Sequence, residues 1–185
     1  MLEINLPNKI TLFRIFLVPI VIVFLISPSL WSCMIAAIVF SLAAATDWLD
    51  GHLARVTNQV TTLGKLLDPI ADKLLVISAL IPLVELDRVS AWIVVVIIGR
   101  EFAVSGLRMV ASAQNITIAA SVYGKYKMAA EVGAILFLIL DFNFLFHFLG
   151  QLGIWIVMGL SIFSAVEYFN QFWGKLDFDK AEELY

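Results

Sequence analysis

The sequence predicts an all-α membrane protein in which six transmembrane helices surround a polar cavity open to the cytosol. Of its 185 residues, 62% are hydrophobic and only 15% are charged, whereas a soluble domain carries about 25% charged residues. Apolar stretches long enough to span a bilayer, about 20 residues each, recur along the chain. The alternation with a period of two that a membrane barrel requires is absent. No linker divides the chain, so we expect one transmembrane domain over residues 1–175 and a polar carboxyl-terminal tail over 176–185.

Six apolar segments follow one another in order, and each is bounded by a polar break. Pro28 and Ser29 end the first segment, Glu85 to Arg88 separate the third from the fourth, and Asp141 to His147 lie around the fifth turn. Backbone groups within the hydrocarbon layer must find hydrogen-bond partners inside their own segment, so these segments should be helices. The predicted spans are 12–28, 30–50, 65–85, 88–110, 126–147 and 149–172.

The distribution of basic residues predicts the orientation of these helices. The ends and connections that an even number of spans places on one side hold Lys9, Arg14, Arg55, Lys65, Lys125, Lys127 and Lys175, and the opposite turns offer only Arg88. Because cytoplasmic connections are enriched in Lys and Arg, both termini should face the cytoplasm. The start of the chain lacks the pattern of a cleaved signal peptide.

The third and fourth segments carry charged residues at depths where lipid would exclude them. Asp68, Asp72 and Lys73 precede the apolar part of the third segment, and Arg100 and Glu101 follow that of the fourth. Ionisable groups inside a membrane are costly unless they face one another or a water-filled cavity. Both helices should therefore line a polar cavity at the cytoplasmic side.

Four aspartates flank the connection between the second and third segments. Residues three and four apart share one face of a helix, so Asp47 and Asp50 form one stripe and Asp68 and Asp72 form another. The connection is short, which makes the two helices antiparallel neighbours, and the four carboxylates should converge.

Such a cluster of carboxylates calls for cations, because four adjacent anions repel one another. Ligands that are all oxygen select hard ions, so we expect Mg²⁺ or Mn²⁺. Four carboxylates suit two ions, the arrangement used for in-line displacement at phosphorus. Gly51, Ala54 and Gly64 leave room for a phosphate ligand beside them. The alternative is that these aspartates form structural ion pairs with Arg55, Lys65 and Lys73 or cap helix N-termini. It does not explain why four aspartates form two stripes with small residues between them.

The pattern Asp-x2-Asp-Gly-x2-Ala-Arg-x8-Gly-x3-Asp-x3-Asp resembles the signature of the CDP-alcohol phosphotransferase family. All eight of its positions match, at Asp47, Asp50, Gly51, Ala54, Arg55, Gly64, Asp68 and Asp72. The resemblance implies six transmembrane helices with the signature at the cytoplasmic ends of the second and third. It also implies that Asp47, Asp50 and Asp68 bind metal, and that Asp72 contacts metal and acts as general base. Gly51, Ala54, Arg55 and Gly64 would surround the CDP group.

The same resemblance implies transfer of a phosphatidyl group from CDP-diacylglycerol to an alcohol, and basic residues beyond the signature bear on which alcohol. Arg100, Arg108, Lys125 and Lys127 fall at cytoplasmic helix ends, where they could pair with a phosphate on the acceptor. The segments around them are similar to those of bacterial members that use glycerol 3-phosphate to make phosphatidylglycerol phosphate and CMP. Arg108 and Lys125 are the first candidates; Arg100 has an alternative role in ion pairs with Glu101 or Glu131. Serine and inositol phosphate are the alternative acceptors.

The amino-terminal segment Pro7-Asn8-Lys-Ile-Thr11-x2-Arg14 is also similar to that of those bacterial members. Asn8 and Arg14 would either cap the CDP pocket or anchor an interfacial helix. The family resemblance further implies a homodimer and a bacterial inner membrane, with the active site facing the cytoplasm and membrane lipid around it.

Two other classes of function have less support. A nucleic-acid-binding role is not expected, because the chain has no polybasic block. A transporter would commonly show repeated halves and a midplane site, whereas the carboxylates here occupy one end and residues 95–185 hold no second copy of them.

Overall fold

The computed structural model describes the backbone of residues 6–56, 62–113 and 122–182, and within these ranges the side chains of 8–47, 64, 67–111 and 127–174. All the regular secondary structure in this part of the chain is helical, with short turns between the helices and no strand. The six helices are α1 (Leu6–Ile26), α2 (Leu30–Val56), α3 (Thr62–Glu85), α4 (Ala91–Ala113), α5 (Val122–Ile139) and α6 (Phe144–Glu182).

Three of these helices are long and apolar enough to cross a membrane, over Asn8–Ile26, Leu30–Asp47 and Phe144–Gly174. The described parts of α3, α4 and α5 are interrupted by charged residues such as Asp72, Arg100 and Glu131. Large apolar side chains lie exposed on the outside of the bundle, Phe16, Val95 and Met109 among them. Exposed apolar surface of this extent suits contact with lipid. The prediction of an all-α membrane protein is confirmed, while the number of six spans stays a prediction.

The helices share one apolar core. It contains fully buried side chains from all six helices, including Val21, Phe40, Leu80, Ile97, Ile135 and Ile154. Helix α1 packs against both α2 and α3, while α6 packs against α4 and α5. The position of α1 brings its polar residues beside the ends of α2 and α3 that carry the aspartates.

Helices α5 and α6 pack closely because small residues face each other. A Cβ atom added at Gly153 would lie 2.8 Å from the Cβ of Ala134, and one added at Gly150 would lie 2.8 Å from Leu138 Cδ2. Small residues let the backbones of membrane helices approach in this way.

The predicted boundary between the fifth and sixth spans was wrong. The fifth span was predicted to reach residue 147, but α5 ends at Ile139 and α6 already begins at Phe144. The side-chain oxygen of Asn143 accepts the backbone N–H of Phe146 at 3.0 Å, which caps the new helix. The run of aromatic residues after this cap extends the apolar segment without a break, so hydropathy does not locate the turn.

Several other helix ends lie beyond the apolar windows that predicted them, three of them by the widest margins. Helix α1 begins at Leu6 rather than at 12, α2 continues to Val56 rather than ending at 50, and α6 continues to Glu182 rather than ending at 172. Polar residues continue a helix without raising its hydropathy, so these extensions escape an apolar criterion.

At the opposite end of the bundle from the aspartates, Arg88 ties the α3–α4 turn to α5. Asp87 has a positive φ of 55°, and the backbone N–H groups of Asp87 and Arg88 bond back to Val84 and Leu83, which is the Schellman arrangement. This turn directs Arg88 Nη1 to the carbonyls of Leu138 and Ile139, at 3.1 and 2.8 Å.

Candidate active site

The aspartates of the signature lie where α2 and α3 come together. Asp47 is on α2, and Asp68 and Asp72 are on the first half of α3. Because α2 remains helical to Val56, Asp50, Gly51, Ala54 and Arg55 continue the same helix, although their side chains lie outside the described residues. Gly64 is buried near the start of α3.

Helix α1 supplies the groups that contact three of these carboxylates. Arg14 Nη1 lies 2.9 Å from Asp47 Oδ1 and 2.5 Å from Asp72 Oδ1. One turn earlier, the hydroxyl of Thr11 donates to Asp68 Oδ1 at 2.8 Å. A single guanidinium therefore joins α2 to α3, and hydrogen bonds to ionised carboxylates are among the stronger ones in proteins.

Both α1 residues that were predicted to bind CDP are buried. Arg14 is 0% exposed and Asn8 is 1% exposed. Arg14 Nε also lies 3.5 Å from the hydroxyl of Thr46, and neither residue lines the cavity described below. For Arg14, this burial favours a role in holding the carboxylates over direct contact with a nucleotide.

The chemistry of the aspartates fits a hard divalent cation. One oxygen of Asp47 and one of Asp72 approach the same guanidinium nitrogen, so a cation near that point would be within reach of both. All donors are oxygens, the ligands that Mg²⁺ and Mn²⁺ prefer. Within the described part of the chain, no three acidic, His or Cys side chains already form a ligand cluster, and the side chain of Asp50 lies outside that part.

A cavity of about 640 Å³ opens from the two carboxylates into the bundle. Its walls come from α2 to α6 and combine apolar side chains with many ionisable ones. The polar and ionisable residues that line it are Asp47, Asp72, Lys73, Arg100, Glu101, Ser105, Arg108, Lys127, Glu131, Ser164 and Tyr168. The cavity therefore joins two signature aspartates to three of the four cations that were predicted to bind the acceptor phosphate. The fourth, Lys125, has its side chain outside the described residues.

Two of these cations are held by carboxylates. Glu101 Oε1 contacts both Arg100, at 2.6 Å, and the ammonium of Lys127. Lys127 Nζ lies 3.7 Å from Glu131 Oε2, one helical turn along α5. Arg100 also donates to the carbonyl oxygen of Ser161 at 3.1 Å and contacts the hydroxyl of Ser164. The pairing of Arg100 with Glu101, the alternative role considered for it, is thus present.

Arg108 differs from them in being exposed and in facing an aromatic ring. Its Nε donates to the hydroxyl of Tyr168 at 3.2 Å, and its guanidinium lies 5.3 Å from the centre of that ring. Tyr168 is buried on α6, so it fixes the arginine from one side. This leaves Arg108 accessible from the cavity.

Sequence reasoning assigned no role to several residues of this site. Thr11 was only part of a similar segment, and Ser164 and Tyr168 lie in an apolar helix with no recognisable pattern around them. The one available signal was a polar residue within a membrane segment, which is a functional candidate by default.

A helical membrane protein whose cavity places a carboxylate pair beside several cations has the architecture of an enzyme that handles anionic substrates at a bilayer. The family model for CDP-alcohol phosphatidyltransferase matches residues 4–164. This match covers most of the chain, and the chain therefore belongs to the CDP-alcohol phosphatidyltransferase family.

Similar proteins agree with this membership over nearly their whole length. The chain is 42% identical to CDP-diacylglycerol–glycerol-3-phosphate 3-phosphatidyltransferase of Bacillus subtilis (strain 168), with 93% of this chain and 97% of that protein covered. It is 39% identical to the protein of that name from Pseudomonas fluorescens, covering 97% and 96%. The protein of that name from Salmonella choleraesuis is 35% identical, with 95% and 98% covered.

Proposed function

We propose that this protein transfers the phosphatidyl group of CDP-diacylglycerol to glycerol 3-phosphate, which yields phosphatidylglycerol phosphate and CMP. The observation that carries the proposal is the single cavity that Asp47 and Asp72 share with Arg100, Arg108 and Lys127. A dianionic acceptor needs cations near the carboxylate that activates its hydroxyl, and this cavity offers both. The names of the similar proteins specify the same pair of substrates.

In the proposed reaction, Asp72 is the general base. Its carboxylate takes the proton of an acceptor hydroxyl, and the hydroxyl oxygen forms a new bond to the phosphorus on the diacylglycerol side of the pyrophosphate. The bond from that phosphorus to the bridging oxygen breaks, and CMP leaves with the electron pair. Asp72 lines the cavity and is partly exposed, so a hydroxyl can reach it.

Asp47, Asp50, Asp68 and Asp72 are the proposed ligands of two Mg²⁺ or Mn²⁺ ions. Bound ions of this kind neutralise the pyrophosphate and stabilise the charge that develops on the leaving group. The chain's own contribution is to keep the carboxylates together, through Arg14 for Asp47 and Asp72 and through Thr11 for Asp68.

The substrates are proposed to occupy different walls. The small residues Gly51, Ala54 and Gly64, with Arg55, would surround the CDP group beside α2 and α3. Arg108 would bind the phosphate of the acceptor, because it is accessible from the cavity and lies beside Tyr168. Arg100 and Lys127 already contact Glu101, so they would add positive potential, and Lys125 is a further candidate.

The proposed setting is the inner membrane of a bacterium. Both chain ends and the carboxylates would face the cytoplasm, where water-soluble acceptors and CMP exchange, and CDP-diacylglycerol would enter from the surrounding lipid. The active form would be a homodimer, as the family resemblance implies.

The test is release of CMP by the purified protein in detergent with CDP-diacylglycerol. We expect release that requires Mg²⁺ or Mn²⁺ and glycerol 3-phosphate, with serine and inositol phosphate as the comparison acceptors. Asp72→Asn should lose release, whereas Asp141→Asn, at the opposite end of the bundle, should keep it. Preference for serine or inositol phosphate would refute glycerol 3-phosphate as the acceptor. Full activity in Asp72→Asn would refute Asp72 as the general base.

A further inference from the structure

Glu131 is the most deeply buried carboxylate that borders the cavity. Glu131 lies on α5, is 6% exposed and lines the cavity wall. Its Oε2 lies 3.7 Å from Lys127 Nζ, but its Oε1 is buried with no hydrogen-bond partner among the described residues. Buried polar atoms are almost always hydrogen-bonded in native proteins, and a buried atom without a hydrogen bond is unfavourable.

The missing partner of Glu131 Oε1 must be a hydrogen-bond donor. A carboxylate oxygen only accepts hydrogen bonds, and so do the oxygens of a phosphate dianion, which cannot serve as its partner. An ammonium group could donate, but it would enter a wall that already holds Arg100 and Lys127 and would be repelled by them. A neutral O–H group, of a water molecule or of a bound substrate, meets both requirements.

We propose that Glu131 accepts a hydrogen bond from a second hydroxyl of the acceptor, next to the hydroxyl that reacts. This inference rests on the proposed function and deepens it, because it defines the acceptor as a phosphorylated polyol with two adjacent hydroxyls. Glu131 is then a residue that determines specificity. It holds one hydroxyl on α5 while the other reaches Asp72 on α3, so it also decides which hydroxyl reacts.

The arrangement of charges in the cavity gives the acceptor one orientation. Glu101 contacts the two cations nearest Glu131, which lowers the attraction of this wall for a phosphate. Arg108 is exposed and faces Tyr168 on another part of the wall. The phosphate therefore binds at Arg108, the second hydroxyl at Glu131 and the reacting hydroxyl at Asp72.

The experiment compares glycerol 3-phosphate with 3-hydroxypropyl phosphate, which lacks only the second hydroxyl. For the native protein we expect kcat/KM to be at least about tenfold lower with the analogue, since a hydrogen bond to a charged group is lost. Glu131→Met removes the acceptor atoms at similar length, and the ratio between the two substrates should fall to within about threefold. Glu85→Gln, on the exposed end of α3, is the matched control and should keep the native ratio.

Turnover of the analogue shows whether each variant is folded, because that reaction does not use the second hydroxyl. If Glu131→Met fails to fold, the isosteric Glu131→Gln decides, since loss of the charge should reduce the ratio by at least about threefold. A ratio unchanged from the native value in the folded variant overturns the inference. Absence of native turnover with glycerol 3-phosphate would instead overturn the proposed function.

Discussion

Outside the signature, we expect substitution of Arg14 to reduce the activity of the proposed site most. Arg14→Met removes the guanidinium that contacts Asp47 and Asp72 and leaves two carboxylates without that partner. A hydrogen bond to a charged group contributes about 1.5–3 kcal/mol. The side chain of Asp47 is 18% exposed and that of Asp72 is 38% exposed, so solvent screens the second contact more strongly.

With the lower end of this range, about 1.5 kcal/mol, taken for each of the two partly exposed carboxylates, the two contacts together amount to about 3 kcal/mol. If this energy serves to hold the carboxylates for the reaction, kcat should fall about a hundredfold in Arg14→Met. The KM of both substrates should stay within about threefold, because Arg14 does not line the cavity. Arg14→Lys keeps the charge without the planar fork and should recover part of the rate.

Steady-state CMP release measures kcat and both KM values, and Mn²⁺ binding followed by electron paramagnetic resonance reports the state of the carboxylates without turnover. We expect altered Mn²⁺ affinity in Arg14→Met and native affinity in Arg88→Met. Arg88→Met also loses an arginine with partly buried hydrogen bonds, but at the opposite end of the bundle. A tenfold or larger rise in the KM of CDP-diacylglycerol at native kcat would show that Arg14 contacts the nucleotide, and would refute this reasoning.

Three further predictions concern the cavity wall, the metal and the helix packing. Arg108→Glu should raise the KM for glycerol 3-phosphate at least about tenfold, because it reverses the charge opposite the phosphate. The KM for CDP-diacylglycerol should change little. Equal effects on the two KM values would contradict a phosphate site at Arg108. Removal of divalent ions by EDTA should abolish CMP release, and Mg²⁺ or Mn²⁺ should restore it, whereas release that survives chelation would exclude metal assistance. Gly153→Leu should lower the melting temperature because its side chain meets Ala134. Gly159→Leu should not, because a Cβ atom added at Gly159 has nothing within 4 Å. Equal melting temperatures of the two variants would be inconsistent with close contact between α5 and α6.

The sequence was sufficient for the helices and for the approach of Asp47 to Asp72, which contact the same guanidinium nitrogen. Asp68 and Asp72 are four residues apart on one helix, and the short connection to α2 leaves Asp47 little choice of neighbour. Both features are local, so spacing alone predicts them. The fifth turn was predicted only in part, because the aromatic residues after Asn143 are as apolar as a membrane span.

Contacts between distant helices could not be predicted in this way. Arg14 and Asp72 are separated by 58 residues, and the similarity of the amino-terminal segment singles out Arg14 without indicating which carboxylates it contacts. The contact of Tyr168 was not predicted either, since its hydroxyl meets Arg108 from 60 residues away. Such partners depend on how the helices pack, and apolar periodicity does not specify which polar residues face each other.

The packing of α1 across α2 and α3 limits what the signature can do alone. A segment such as 47–72 grafted onto another helix pair would bring its acidic side chains without the guanidinium and hydroxyl that meet them here. Transplanted activity should therefore require residues 8–14 as well, and the carboxylate site alone would need three helices rather than two.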